Sequence, residues 1–487
     1  MKRIITIYFM MLVICISINA QNNPDIKRTM HWYFGSRAGI DFSSGIPVAD
    51  TNSQMTVLQG NATISDTSGN LLFYTDGKTV WNKNHNIMLN GTGLGVGQYA
   101  TPMDCSIIIP KPGENNIYYI FTVDGWENQF HNGLRYHVID MIQDNGKGAV
   151  MQKNIQLFSP CSEQLGATKD SSGCGYWVAS HELHSANFRT YHITTVGIDT
   201  TPIISTAGKD YGIAQQSYNL NGGYSLKFTP DGNRAGTGVY YGYVHGTDSS
   251  DYIDILKFNK SNGQFSSVVS IQMDTSLAAN FGFSPNSQYL YYEDGWHLAK
   301  GWQNDISSGD ATTILNSKTF IYSTGNNIGI AEDWQIGYDS KLYAICEIRD
   351  SVSVINNPNM QGNGCGFQKN IMSLAGRNPG TAMPKFVSNF LVNDTSSICT
   401  LIGIQESKNE NALLIYPNPA NENVFIKADN AIKQIKITDL IGITIFKDDN
   451  FTGKEIINCQ SFTNGIYLIQ LTTTTNKSLT TKIIINH

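Results

Sequence analysis

The segment that most invites a catalytic reading is His181-Glu-Leu-His184, which carries the His-Glu pair of a zinc protease. That chemistry needs His-Glu-x-x-His on a helix, where positions i and i+4 share a face, and here the second histidine comes one residue early. The preceding Tyr176-Trp-Val-Ala-Ser180 has strand character, so alternation sends His181 and His184 to opposite faces and predicts structural histidines at a strand end. Gly91-Thr-Gly-Leu-Gly-Val-Gly97 has Val96 at the last glycine of G-x-G-x-x-G and no β-α-β unit around it, so it reads as a loop, not a phosphate cradle. Asp66, Asp231 and Asp339 stand in hairpin turns beside Gly, Asn or Ser, where carboxylates cap backbone N–H groups. No cofactor is expected. A structural ion such as calcium is the minor alternative at these turns, although no Asp-x-Asp-x-Asp-Gly loop is present. A glycosidase pair needs two carboxylates about 5 to 9.5 Å apart, and sequence alone cannot select them among 39 acids. Trp126, His131, Trp296, His297 and Trp302 fall in Gly, Asn and Asp-rich connections, where aromatic faces can stack on sugar rings or anchor a protein; blade-to-blade packing is the competing role.

The elements that would position these residues are nearly all β. Charged residues make up only 15% of the 487, against about 25% in average soluble proteins, while Gly, Tyr and Phe are abundant. Lys2 and Arg3, the apolar run from Ile4 to Ile18 and small Ala20 form a signal peptide over 1–20, with cleavage between Ala20 and Gln21. Removing it takes the basic count from 33 to 31 against 39 acids, a net charge of −8 that argues against nucleic acid. No transmembrane segment is expected in the mature chain. Seven cysteines remain after Cys15 is lost, an odd number, so at least one is free or intermolecular; Cys346 and Cys365 flank a Gly-rich loop and are candidates to bridge.

From Asn61 onward one device recurs, two β-branched or aromatic runs around a tight Asp, Asn or Gly turn. It begins at Ala62, Ile107, Gly166, Ser225, Phe281 and Trp334, about 45 to 60 residues apart, with a further strand pair after most copies. This predicts an all-β chain whose residues 21–392 form a β-propeller of about seven blades. Trp32-Tyr-Phe-Gly35 and Met383–Val392 are expected to complete the seventh blade from both ends, removing exposed sheet edges. Residues 393–412 read as a polar linker, and 413–487, with short alternating strands such as Gln434–Thr438 and Ile466–Leu471, as a small Ig-like sandwich.

The tail carries Tyr416-Pro417-Asn418-Pro419, then Ile437-Thr-Asp439-Leu-Ile-Gly442, Asn464-Gly465-Ile-Tyr467 and Lys482-Ile-Ile-Ile485. In that order these motifs resemble the type A C-terminal sorting domain of Bacteroidota, with Ile443 standing where a basic residue commonly follows the glycine. The resemblance implies passage through the type IX secretion system, with the domain usually cleaved as cargo is released or anchored to surface lipopolysaccharide. The body resembles exported Bacteroidota proteins that share Trp32–Gly35, Ala62–Gly77, and Asn357–Asn359 with Cys365 and Phe367. That likeness implies a compartment and leaves the chemistry unassigned. Thr75-Asp-Gly-Lys-Thr-Val-Trp81 also approaches the Asp-box of sialidase-type propellers, a fold-stabilising turn, with shifted spacing.

The expected protein is therefore a secreted or outer-membrane surface protein, exported through the periplasm, whose partners are the type IX machinery and a glycan or surface protein held by the propeller. The alternatives are a secreted polysaccharide-active hydrolase or lyase, and a structural component of the cell surface or gliding machinery.

Overall fold

The computed structural model describes residues 23–95, 102, 104–208, 223–239, 252–273, 280–294, 299–324, 332–393, 413–428, 432–439, 442–450, 454–473 and 478–487. The signal segment with Ala20 and Gln21, residues 394–412 of the linker, and Trp296 and His297 lie outside them. The chain divides into two compact units, Met1–Thr400 and Leu401–His487.

In the larger unit the six hairpins of the repeating device pair as Ala62–Ser65 with Leu71–Thr75, Ser106–Pro110 with Ile117–Thr122, and Cys161–Lys169 with Tyr176–Glu182. Gly223–Phe228 with Arg234–Val239, Phe281–Phe283 with Tyr289–Asp294, and Asp333–Ile336 with Leu342–Ile345 follow. Each hairpin opens an antiparallel blade completed by the strands that come next in sequence, and these are blades 2 to 7. Blade 1 is three-stranded, from His31–Phe34, Ala38–Asp41 and Val48–Ala49. Blades 2 and 3 are also joined at their rims, where Leu89 pairs with Ala149 in parallel.

Each blade presents apolar residues on both faces, and neighbouring faces form one closed series of cores. Tyr33 and Tyr74 join blades 1 and 2; Ile64, Phe73, Ile108 and Ile120 join 2 and 3; Ile109, Phe121, Leu165 and Val178 join 3 and 4. Trp177, Phe188, Leu226 and Phe258 join 4 and 5, and Ile253, Ile255, Phe281 and Leu290 join 5 and 6. The last core holds Tyr291, Trp334 and Leu342 with Trp32 and Phe34, so blades 6 and 7 close onto blade 1. The larger unit is a seven-bladed β-propeller.

The first strand shows how closure is encoded. Its alternation sends Trp32 and Phe34 to the blade 7 side and Tyr33 to blade 2, where it lies 4.7 Å from Tyr74 and donates to Asp50 at 2.6 Å. The Trp32 ring is fully buried, edge-on to Tyr343 at 5.9 Å, with Nε1 donating to the Thr29 carbonyl. Gly35, at φ +55°, ends this strand; a Cβ there would lie 2.3 Å from the Asn378 carbonyl oxygen, which accepts from Ser36 N. Glycine thus permits the returning chain to pass against blade 1.

One expectation is corrected. Met383–Val392 does not join Trp32–Gly35 to complete that strand's blade: blade 1 is built from Ala38–Asp41 and Val48–Ala49 instead, and the segment makes a single parallel bridge, Lys385 with Ala62, and then a 3-10 turn over Ser388–Leu391. Pro384 removes one ladder donor, and the segment's polar atoms are satisfied by several blades instead of by one neighbouring strand.

The smaller unit has one sheet of Leu413–Tyr416, Asn423–Ala428 and Lys454–Asn458, and another of Thr444–Asp448, Ile432–Thr438, Gly465–Thr473 and Ser478–Ile485. Val424, Ile426 and Ile457 from the first pack with Ile435, Ile437, Ile469, Leu471 and Ile483 from the second, which makes a sandwich.

Cys346 and Cys365 are both free and buried, so they do not bridge; Cys105, Cys161 and Cys459 are free as well, and Cys174 is disulfide-bonded.

Candidate functional site

The centre of a propeller is where ligands and water channels are commonly found, and here the protein's own chain fills it. The Lys385 ammonium donates to Asp104 at 2.5 Å and to the Leu165 and Leu226 carbonyls at 3.1 and 2.9 Å, reaching the inner strands of blades 4 and 5. Asp104 also accepts from Leu226 N at 2.7 Å. Burial pushes the Asp104 carboxyl up and the Lys385 ammonium down, while their mutual attraction opposes both shifts. Lys227 repeats the device, donating to Asp333 at 2.5 Å and to the Phe281 and Trp334 carbonyls at 2.9 Å each. Asp333 accepts from Met383 N at 2.7 Å on its other oxygen.

Below this pair, Asn389 is fully buried: its oxygen accepts from Thr168 Oγ1 and Lys169 N, and its amide donates to the Pro230 carbonyl at 2.9 Å. The 3-10 turn Pro24–Thr29 closes this end, with Asp25 bridging Arg28 and Lys169 at 2.7 Å each and Asn23 N donating to Asn393. The space left among Lys227, Trp334, Gln335, Lys385 and Phe386 is about 40 Å³. That holds a few waters at most. All three protons of both ammonium groups already have oxygen acceptors, so neither cation is free to hold an anion in the cavity.

The residues singled out from sequence have these places. His181 is buried in Tyr176–Glu182 with its ring edge-on to Phe188 at 4.5 Å, and burial holds it down at about 3; His184 sits exposed in the turn beyond. They do not form a metal-binding helix face. Asp66 accepts from Ser68 N, Asn70 N and Asn70 Nδ2, Asp231 from Asn233 N and Thr229 Oγ1, and Asp339 from Lys341 N and Tyr343 Oη. These carboxylates cap hairpin turns. Asp76 does the same for Lys78 N and Thr79 N, the role the Asp-box-like stretch suggested.

Of the aromatic group, Trp126 opens the 3-10 turn Trp126–Asn128 in a connection, and His131 is exposed a few residues on. Trp302 is a correction. It lies within the strand Lys300–Asp305, not in a connection, half-buried against the core between blades 5 and 6, with Lys318 4.4 Å above its ring. The Asn357–Asn359 and Cys365–Phe367 motif also has a structural role that sequence reasoning missed. The Pro358 carbonyl accepts from Tyr291 at 2.7 Å, Asn359 from Asn286 N, and Phe367 stacks on Tyr322 at 4.0 Å, tying blade 7 to blade 6.

In the sandwich the four motifs converge on one end of the fold. Asn418 donates to the Lys482 carbonyl and accepts from Ile484 N at 2.9 Å, clipping the Tyr416–Pro419 turn to the last strand, and Ala420 bridges Ile485. Asp439 accepts from Ile443 N at 2.8 Å around Gly442, whose φ is +89°. Tyr467 donates to the Thr463 carbonyl across Gly465 at 2.8 Å.

A seven-bladed propeller followed by a β-sandwich is the class of protein this geometry defines. Residues 414–486 match the family described as the secretion system C-terminal sorting domain, so the chain carries such a domain. The chain is 32% identical over 74 residues to ulvan lyase NLR42 of Nonlabens ulvanivorans and 35% over 102 residues to an endo-acting ulvan lyase of Formosa agariphila. These matches take in 15% and 19% of this chain and span only 14% and 19% of the length of those relatives. Among solved structures, a 6-phosphogluconolactonase-like protein of Bacteroides uniformis gives a TM-score of 0.43 at 11% identity, covering 72% of this chain and 98% of that one. PorZ, a surface component of the type-IX secretion system of Porphyromonas gingivalis, gives 0.27 at 9%, covering 93% and 68%. At these scores neither likeness bears on function.

Proposed function

We propose that this protein is cargo of a type IX secretion system, exported through the periplasm to the cell surface or medium, where its propeller binds a glycan or a surface protein without turning it over. The observation that carries the export reading is the sorting-domain match over 414–486, with its four motifs clipped together by Asn418, Asp439 and Tyr467. Binding is favoured over catalysis because the polar groups that looked chemical serve the fold. Asp104, Lys227, Asp333 and Lys385 hold the chain in the channel, and the turn carboxylates cap backbone. Ligands then meet the outer faces and loops, including the connection that carries Trp126 and His131.

The test is retention of the mature protein on arrays of polysaccharides and surface proteins, with and without chelator. Specific retention without product release supports binding, and chelator sensitivity adds a structural ion. One rival is a polysaccharide-active lyase, the activity named for the two relatives matched over 74 and 102 residues. Unsaturated oligosaccharide released by the protein, and abolished by one carboxylate substitution, would replace the binding reading.

A further inference from the structure

On blade 5 two cations stand directly opposite each other. Arg234 in Arg234–Val239 is the cross-strand partner of Lys257 in Tyr252–Asn259, and Lys257 is in turn the partner of Ser266 in Gln264–Gln272. Partners in this register share a face, and like charges so placed destabilise the sheet. The one carboxylate whose charge interacts with either of them among the described residues is Asp305, which acts on Arg234 from a distance. Among the described residues neither Arg234, Lys257 nor neighbouring Lys260 forms a salt bridge; Arg234 Nη2 donates to the Ser307 carbonyl and Lys260 to the Asp231 carbonyl. Arg234 Nε is buried without an acceptor. Asp305, on blade 6, offsets Arg234 only in part: its oxygens accept from Ser307 and Gln288 and it forms no ion pair with the arginine, and among the described residues Lys257 and Lys260 stay without one.

These three cations line an open groove of about 670 Å³ together with Ser171, Asn233, Asn259, Ser261, Gln264 and Ser266, and no carboxylate lines it among the described residues. Its two aromatic residues, Phe258 and Phe265, are buried in the core between blades 4 and 5. A concentration of positive charge on a chain of net charge −6 therefore coincides with a shallow surface rich in hydroxyl and amide groups.

We infer that this groove binds an anionic polysaccharide, one whose sugars carry sulfate or carboxylate groups, which deepens the binding reading above and rests on it. The cations meet the acidic groups, and the serine, asparagine and glutamine side chains meet sugar hydroxyls. A nucleic acid fits less well: three cations are few, the described lining holds no exposed ring for base stacking, and the overall charge repels a dense polyanion.

The test measures binding of the mature full-length protein to dextran sulfate, polygalacturonate, neutral dextran and a single-stranded DNA oligomer by affinity electrophoresis at two salt concentrations. Lys257 is exposed, so Lys257→Ser should leave the melting temperature unchanged or slightly raised. It should weaken dextran sulfate binding about 3- to 10-fold and lower the salt slope by about 1, with Lys257→Ser/Lys260→Ser weaker still. Lys83→Ser, which removes an exposed charge from blade 2, should change nothing. The inference is overturned if the blade 5 variants bind like the parent, if Lys83→Ser weakens binding equally, or if neutral dextran or DNA binds as well as the sulfated polymer. Should the parent still be retained by a glycan or protein on the arrays, only the groove assignment fails; with no retention on any surface, the binding function fails with it.

Discussion

Lys385 Nζ and Asp104 Oδ2 lie 2.5 Å apart in the middle of the propeller, although one belongs to the segment leaving the last blade and the other to the segment leading into blade 3. The pair ties the end of the body to its centre. Because both groups are buried, removing one strands the other: Asp104→Ala or Lys385→Met should each cost about 3 to 5 kcal/mol of stability in urea denaturation. The double variant Asp104→Leu/Lys385→Met should lose clearly less than the sum, and strict additivity would show that the pair is not coupled.

Asn389→Ala tests whether the segment is a structural plug. It leaves Lys169 N and the Pro230 carbonyl without their buried partner, so a loss of about 2 to 4 kcal/mol is expected. Limited proteolysis should then cut within the segment while blade strands stay protected. Parental stability and protection would contradict the plug.

Acid stability should report two buried histidines. Burial holds His137 and His181 each down at about 3, so below the usual histidine value of about 6.5 the unfolded chain takes up protons that the native state refuses. Their contribution is complete above about pH 6.5 and is lost as the pH falls toward 3, at about 1.4 kcal/mol per pH unit for each group. The thermal midpoint should fall over that window, and the fall should be shallower in His181→Leu. An unchanged slope would mean that His181 is protonated in the native state.

Asn418→Ala should lower the stability of the sandwich by about 1 to 2 kcal/mol, since it removes the clip to Lys482 and Ile484. If the sandwich is the export address, cells expressing this variant should hold a larger fraction of the protein in the periplasm, and deletion of 413–487 should hold nearly all of it. Normal surface or medium levels after that deletion would remove the type IX reading.

Much of the fold was legible because its information is local. The hairpin at Phe281–Tyr292 is written in alternation around an Asn-Ser turn, and Asn286 and Ser284 close that turn through their own side chains. The sorting motifs are likewise legible, since Asn418, Asp439 and Tyr467 act within one small sandwich. Trp302 misled because Gly301 beside it suggests a loop, while tertiary contact sets that glycine against the Tyr322 ring in a strand.

The sequence by itself determined an all-β body of repeated hairpins, an alternating first strand able to face two neighbours, and a sorting tail. Only the tertiary structure decided that Met383–Val392 fills the channel and that Arg234 and Lys257 face one groove without forming an ion pair among the described residues. The reason is physical: alternation and turn chemistry act over a few residues, whereas a buried ammonium or a facing pair of cations acquires its meaning from the carbonyls and carboxylates that other blades bring beside it.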